Sequence, residues 1–298
     1  MPAAAGEARV SMTVDGDRFL CICADDFGMS EGVNAAVLAL LGRSRICAAS
    51  CMVLRGAWAA GSRALRAIDP SHGAEFGLHL EVGRPPSDSP AEPPLRNLLA
   101  ASYLGLLRPG AVRDDVREQL ARFEDALGRP PAFVDGHRHV HQLPVVREVL
   151  VEEIASRYGT AAAPWIRSTA PATHGGWTPT KADAIFALGG RRMIALAAEH
   201  RIPVSRRLLG VYGFDGSLEA YRERLADWIG NCRSGDVLLC HPALDRVPGD
   251  RIAAARQREY AALEALDFPV RTKRGSVFLR PLSLQPLAAA GPECSPLP

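Results

Sequence analysis

Two adjacent carboxylates, Asp25 and Asp26, close the first apolar run of the chain, Phe19-Leu-Cys-Ile-Cys-Ala24. At the mouth of a buried strand such a pair costs free energy unless a cation sits between them. Three other apolar runs end in similar chemistry. One is Gly77-Leu78-His79-Leu80. Another is Phe133-Val134-Asp135, followed by Gly136-His137-Arg138-His139-Val140-His141. The third is Val237-Leu238-Leu239-Cys240, followed by His241-Pro242. Four strand ends that deliver carboxylate or imidazole are the pattern of a metal hydrolase at the top of a parallel barrel.

Neighbouring residues within a strand point to opposite faces, so Asp25 and Asp26 reach one cavity together only in a turn at the strand end. There one can bind a metal while the other holds a proton. The alternative is a solvated pair, one member capping the turn. The three histidines of 137–141 share a wall if the stretch is extended. If a helix begins there, His137 and His141 fall on one face at i and i+4. His241 completes the ring of strand-end groups, and alternation turns Cys240 away from it. His72, His174 and His200 read as solvent-exposed.

The elements that must position these groups alternate. Strands are expected over 19–24, 46–54, 75–79, 132–135, 165–167 and 236–240. Ser30 can cap a helix over 31–42, and another helix is expected over 57–67. Val112, Val116, Leu120, Phe123 and Leu127 recur at helical spacing up to Gly128. Pro144 suits the first turn of a helix bearing Val145, Val146, Val149, Leu150 and Ile154. Ser217 and Asp250 are candidate caps for the last two helices, the final one bearing Ile252, Tyr260, Leu263 and Leu266. Strand–helix alternation implies an α/β fold of parallel strands with crossover helices. The Pro-rich stretch 83–97 follows His79 and is either a rim of the site or a plain surface loop.

Composition bounds the reading. The 298 residues suffice for one large α/β domain, and 47% are hydrophobic. With 35 basic and 33 acidic residues, nothing argues for nucleic acid or an anionic membrane as partner. Only two lysines occur, Lys181 and Lys273. The seven cysteines read as buried free thiols of a reducing cytoplasm, and Cys47-x-x-x-Cys51 lacks the partners of a zinc ribbon. No apolar run approaches a membrane span of about 20 residues, and the start of the chain lacks a signal-peptide pattern. One domain over 18–280 is expected, with flexible tails at 1–17 and 281–298.

Four motifs then carry a resemblance. Ala24-Asp-Asp-Phe-Gly-Met-Ser-Glu-Gly-Val-Asn34, Gly77-Leu-His-Leu80, Val134-Asp-Gly-His-Arg-His-Val-His-Gln142 and Leu239-Cys-His-Pro-Ala243 resemble, in order, the motifs of the YdjC-like carbohydrate deacetylases. That family includes chitooligosaccharide deacetylases and the hopanoid-cluster deacetylase-like proteins. The likeness runs from about residue 18 to 270. Arg138 departs from the His-His-His that the third motif often carries, which bears on substrate contacts more than on metal.

The resemblance implies a distorted (β/α) TIM-like barrel of about seven parallel strands. It implies one divalent metal ion, zinc or magnesium, on Asp26, His79 and His137. Asp25 would be the general base and His241 the general acid. His139, His141 and Arg167 are candidate substrate contacts, Arg167 alternatively orienting Asp25. Trp165 and Trp177 could stack on a sugar, though packing suits them better. The implied activity removes acetyl from an N-acetylated sugar or glycoconjugate, and the implied assembly is a homodimer. Two other readings stay open: a metal-dependent phosphoester hydrolase, and a non-catalytic glycan-binding protein on the same fold.

Overall fold

In the computed structural model, residues 16–68, 73–83, 94–172, 180–246 and 249–285 are described. The first strand, β1 (Arg18–Phe27), is the longest among the described residues and is buried except at half-buried Phe19. Helix α1 (Glu31–Gly42) follows, and the Ser30 side chain accepts from the Val33 N–H as its cap. Then come β2 (Ala48–Cys51), α2 (Trp58–Arg66), β3 (Glu75–Leu80), α3 (Leu95–Tyr103), α4 (Pro109–Leu127) and β4 (Phe133–Gly136). The expected second strand is trimmed to four residues. α4 stops where the pattern indicated, at Gly128 in a left-handed conformation.

A 3₁₀ turn (His137–Gln142) leads to α5 (Val146–Tyr158), then β5 (Trp165–Ile166), α6 (Lys181–Ala187), α7 (Gly190–Glu199) and β6 (Leu208–Leu209). The last elements are α8 (Leu218–Asn231), β7 (Val237–Cys240), α9 (Ala253–Glu264), β8 (Val270–Thr272), β9 (Gly275–Leu279) and a 3₁₀ turn (Leu282–Leu284). Ser217 caps α8 as expected. Asp250 does not cap α9. It accepts from the Ile252 N–H one turn early and pairs with Arg256.

Seven strands pair in parallel in the order β5-β4-β3-β2-β1-β7-β6. Bridges from Ile166 to Val204 and from Pro171 to Leu208 join the two ends of that path. The sheet therefore closes as a barrel, distorted because β5 and β6 are only two residues long. The hairpin β8–β9 lies outside this ring, with β9 running beside Arg18–Leu20.

Alternation divides the strands between two cores. Leu20, Ile22, Val134, Ile166, Leu209 and Leu238 pack outward under the helices. Cys21, Cys23, Phe133, Trp165, Leu208, Val237 and Leu239 fill the lumen. Trp165 stacks on Phe133 at 4.4 Å, a packing role. Gly77 makes room for this pair, because a Cβ there would sit 2.3 Å from the Phe133 ring. The described cysteines 21, 23, 47, 51, 232 and 240 are free and buried, as the sequence indicated. Leu282 and Gln285 are buried under the barrel, and Glu75 accepts from the Leu282 N–H. Pro281–Gln285, expected as the start of a flexible tail, instead plug the lumen from below. The proposed remainder of both tails, His72, His174, Trp177 and most of the Pro-rich stretch lie outside the described residues.

Candidate active site

Going up the lumen, the same alternation changes from apolar to polar. Above Cys23 comes Asp25, above Ala48 Ser50, above Gly77 His79, above Phe133 Asp135, above Trp165 Arg167 and above Leu239 His241. This polar layer lies at the C-terminal ends of the parallel strands, where barrels carry their chemistry.

Asp26 joins the layer by a break in register. β1 pairs with β2 as Cys23–Ala48 and Ala24–Ala49, then as Phe27–Cys51, so β1 holds one extra residue. Asp26 takes the strain at φ +66°, a region that aspartate tolerates better than most residues. The bulge turns a side chain that would have faced the helices into the lumen. Both carboxylates are buried, at 2% exposure each. The turn expected at this strand end is thus a bulge within the strand.

Asp26 meets two imidazoles. Its Oδ1 lies 3.3 Å from His79 Nε2 and 3.1 Å from His137 Nδ1. One ligand atom from each of the three residues falls within 4.8 Å of the others. His79 is oriented from behind, its Nδ1 lying 2.6 Å from Asp135 Oδ1, which also accepts from Ser50 Oγ at 2.5 Å. A carboxylate on the far nitrogen fixes the ring and leaves Nε2 for a ligand. Burial disfavours charge on His79, but Asp135 and Asp25 outweigh it and push its pKa up to about 10. Burial likewise disfavours the Asp26 carboxylate. Arg256, His137 and His79 outweigh that effect and hold it well below its ordinary range.

Two arginines supply much of the countercharge that the carboxylate pair requires. Arg167 is fully buried and grips Asp25 with both terminal nitrogens, at 2.6 and 2.8 Å, and Asp135 at 3.0 Å. Arg256 of α9 donates to Asp26 Oδ2 at 2.7 Å. Cys23, Asp25 and Asp135 also approach one another, but the Arg167 guanidinium already bonds both of those carboxylates. The triangle of Asp26, His79 and His137 offers one hard oxygen and two borderline nitrogens, a donor set that suits zinc and accommodates magnesium. The buried charges around it, Asp25, Asp26, Asp135 and Glu259 against Arg167 and Arg256, are acidic in sum, so a cation fits.

His241 faces Asp25 across the cavity, Nε2 to Oδ2 at 4.0 Å. Glu259, three residues after Arg256 on α9, accepts from the His241 backbone N–H at 2.5 Å and from the Tyr212 hydroxyl at 2.7 Å. Its Oε2 lies 3.8 Å from His241 Nδ1. One nitrogen of His241 thus faces a buried carboxylate and the other faces the cavity.

The histidine cluster is neither an extended wall nor an i, i+4 pair. Arg138 and His139 both take left-handed conformations, at φ +53° and +60°, which sends the three imidazoles in different directions. His137 reaches Asp26. His141 is fully buried, with Nε2 2.9 Å from the Arg167 carbonyl oxygen, and burial lowers its pKa to about 4. His139 is partly exposed, its pKa lowered well below the ordinary value by desolvation and by the Arg167 cation. Of the three candidate substrate contacts, His141 and Arg167 are fully buried and bonded within the protein, and His139 is partly exposed. Arg167 takes the orienting alternative that the sequence left open.

Four contributors escaped the sequence reading: Ser50, Asp135, Arg256 and Glu259. Asp135 had a signal, since it shares a face with Phe133 two residues earlier. Arg256 and Glu259 lie on the buried stripe Ala255, Arg256, Glu259, Ala262 and Leu263 of α9. Charged residues within an apolar stripe mark a buried ion pair, whereas the expected stripe followed only the larger apolar residues.

Comparisons with known proteins place the chain in a family. A family profile described as YdjC-like protein matches residues 19–272. A carbohydrate deacetylase of Geobacillus stearothermophilus is 29% identical over 255 residues, 83% of this chain and 89% of the other. A chitooligosaccharide deacetylase of Serratia marcescens is 33% identical over 153 residues, 48% of this chain and 58% of the other. A carbohydrate deacetylase of Mus musculus is 33% identical over 159 residues, 47% and 48% of the two chains. The match thus spans about half the length of these last two relatives. A solved structure described as a putative cellobiose-phosphate cleavage protein of Enterococcus faecalis shares the fold. Its TM-score is 0.58 at 17% identity, over 83% of this chain and 90% of that one. On the profile that matches most of its length, the chain belongs to the YdjC-like protein family.

Proposed function

We propose that this protein is a metal-dependent carbohydrate N-deacetylase, releasing acetate and a free amino sugar from an N-acetylated sugar or glycoconjugate. The observation that carries the reading is one cluster at the C-terminal strand ends that groups the Asp26–His79–His137 triangle with a separate carboxylate on Asp25 and the imidazole of His241. The names of the similar proteins support the substrate class.

A single divalent ion, zinc or magnesium, held by Asp26, His79 and His137 would polarise the amide carbonyl and acidify a water. Arg167 fixes the plane of the Asp25 carboxylate toward the cavity. Asp25 takes a proton from the attacking water as the tetrahedral centre forms. His241, backed by Glu259, is the group placed to give a proton from Nε2 to the departing amine. Each turnover moves one proton onto Asp25 and one off His241. The 4.0 Å between those groups lets a single bridging water reset them. His139, partly exposed, is the remaining candidate for contact with the sugar.

The test is acetate release from N-acetylglucosamine, chitobiose and longer oligomers by metal-stripped protein, with each divalent ion added back. A panel of phosphoesters run beside them checks the rival hydrolytic reading. Metal-dependent acetate supports the proposal. Sugar binding with no product from any substrate would refute it in favour of a binding protein. No described helix is long and apolar enough to cross a membrane. The buried free thiols support a cytoplasmic setting, and sedimentation equilibrium tests the proposed homodimer.

A further inference from the structure

The loop from β6 to α8 opens at the same end of the barrel as the polar layer, and it places an aromatic ring beside His241. Gly210 starts the loop at φ +90°, where a Cβ would sit 2.1 Å from the Leu239 carbonyl oxygen. The chain therefore passes hard against β7. Four residues on, Phe214 takes φ +61°. A bulky residue in the left-handed region is strained, and such strain gathers at ligand sites. The conformation is braced from several sides. Arg258 donates to the Phe214 carbonyl oxygen at 2.9 Å. Lys181, one of only two lysines in the chain, donates to the Tyr212 carbonyl oxygen at 2.8 Å, with Nζ 4.4 Å from the Phe214 ring centroid. The Phe214 ring meets the His241 imidazole at 5.2 Å between centroids and 78° between planes, and stays half-buried.

We infer that Phe214 is a specificity-determining residue, its ring the apolar platform for the C–H face of the sugar that bears the acetamide. This rests on the deacetylase reading. If His241 protonates the departing amine, the ring carbon bonded to that nitrogen lies within a few ångströms of His241 Nε2. The rest of the pyranose must then extend along a neighbouring wall. Phe214 is the aromatic side chain in contact with His241 among the described residues. Aromatic faces suit the C–H surface of a sugar because that surface is apolar and slightly positive. Its placement favours a cyclic substrate over an acyclic acetamide.

The test uses three variants of the full chain. Phe214→Leu removes the ring but keeps apolar bulk. Phe214→Asn removes it with a residue suited to positive φ, so it folds even where leucine does not. Phe214→Trp restores a platform. For the metal-loaded protein, KM and kcat are measured on chitobiose, and binding of N-acetylglucosamine is followed by saturation-transfer NMR. We expect Phe214→Leu and Phe214→Asn to raise KM on the order of tenfold with kcat within about threefold. Both should lose saturation transfer, and Phe214→Trp should recover both readouts. Unchanged KM and saturation transfer in a folded Phe214→Asn protein overturns the inference while the deacetylase reading stands. A fall in kcat at constant KM also overturns it, because Phe214 would then act only by packing His241. Sugar binding without acetate release by the unaltered protein, lost in Phe214→Asn, sustains the platform and sinks the deacetylase reading alone.

Discussion

Asp135→Asn tests the claim that His79 is positioned from behind. Asn keeps the shape but removes the charge that faces His79 Nδ1 at 2.6 Å, Ser50 Oγ at 2.5 Å and Arg167 at 3.0 Å. Losing a carboxylate behind a ligating histidine typically lowers metal affinity by about 10–100-fold, or about 1.4–2.8 kcal/mol at about 1.4 kcal/mol per decade. The cost to stability is separate. Arg167 retains both bonds to Asp25, so the loss is close to one charged hydrogen bond, about 2 kcal/mol. That is less than the roughly 3–5 kcal/mol of a buried charge left without a partner. The assay is competition for zinc against a chromogenic chelator, with urea unfolding of the metal-stripped protein run in parallel. Ser50→Ala, which removes one neutral donor to the same oxygen, should shift affinity less. A folded Asp135→Asn protein that binds zinc within twofold of the unaltered chain would refute the orienting role.

Other substitutions separate the roles within the site. Asp25→Asn should keep zinc affinity within about threefold and lose about 10²–10⁴ of turnover; near-normal acetate release would remove Asp25 as the base. His79→Ala should lose metal as well as activity, read by metal content after dialysis. His141, whose pKa is about 4 when folded and about 6.5 in an unfolded chain, favours folding fully above the higher value. That contribution fades as the pH falls toward the lower one. In chelator-treated protein it should cost about 2 kcal/mol between about pH 7.5 and 5. His141→Gln should flatten that dependence in urea titrations, and parallel curves would show that His141 is not its source. Gly77→Ala places a methyl against the Phe133 ring and should cost about 1–3 kcal/mol, read as a lowered melting temperature; an unchanged one would mean the lumen has slack.

Much of the barrel was legible because its signals are local. Period-2 apolar runs closed by Asp or His, and period-3.6 stripes ending at Gly128 or opening at Ser30 and Ser217, depend on residues a few positions apart. The short strand β5 was legible at 165–167, whereas the two-residue β6 was not, since only its neighbour β7 makes it a strand. The final helix was misread at its start because Asp250 serves a buried arginine instead of a helix end.

Hydrophobic alternation sets where a strand runs and what closes it, so Asp25, Asp26, His79 and His241 were legible as groups at or near strand ends. The sequence also set the parallel α/β architecture, through the crossover helices between those strands. Which of these groups meet depended on contacts between segments far apart in the chain. A one-residue bulge brought Asp26 inward, two left-handed residues parted His137 from His141, and barrel closure set Arg167 on Asp25. Arg256 and Glu259 reached the site from α9, more than 200 residues after Asp26, through packing that no local pattern encodes. Side-chain type and spacing fix which chemistry is on offer. Closing the sheet fixes the distances at which it can act, because each of those contacts joins segments remote in sequence.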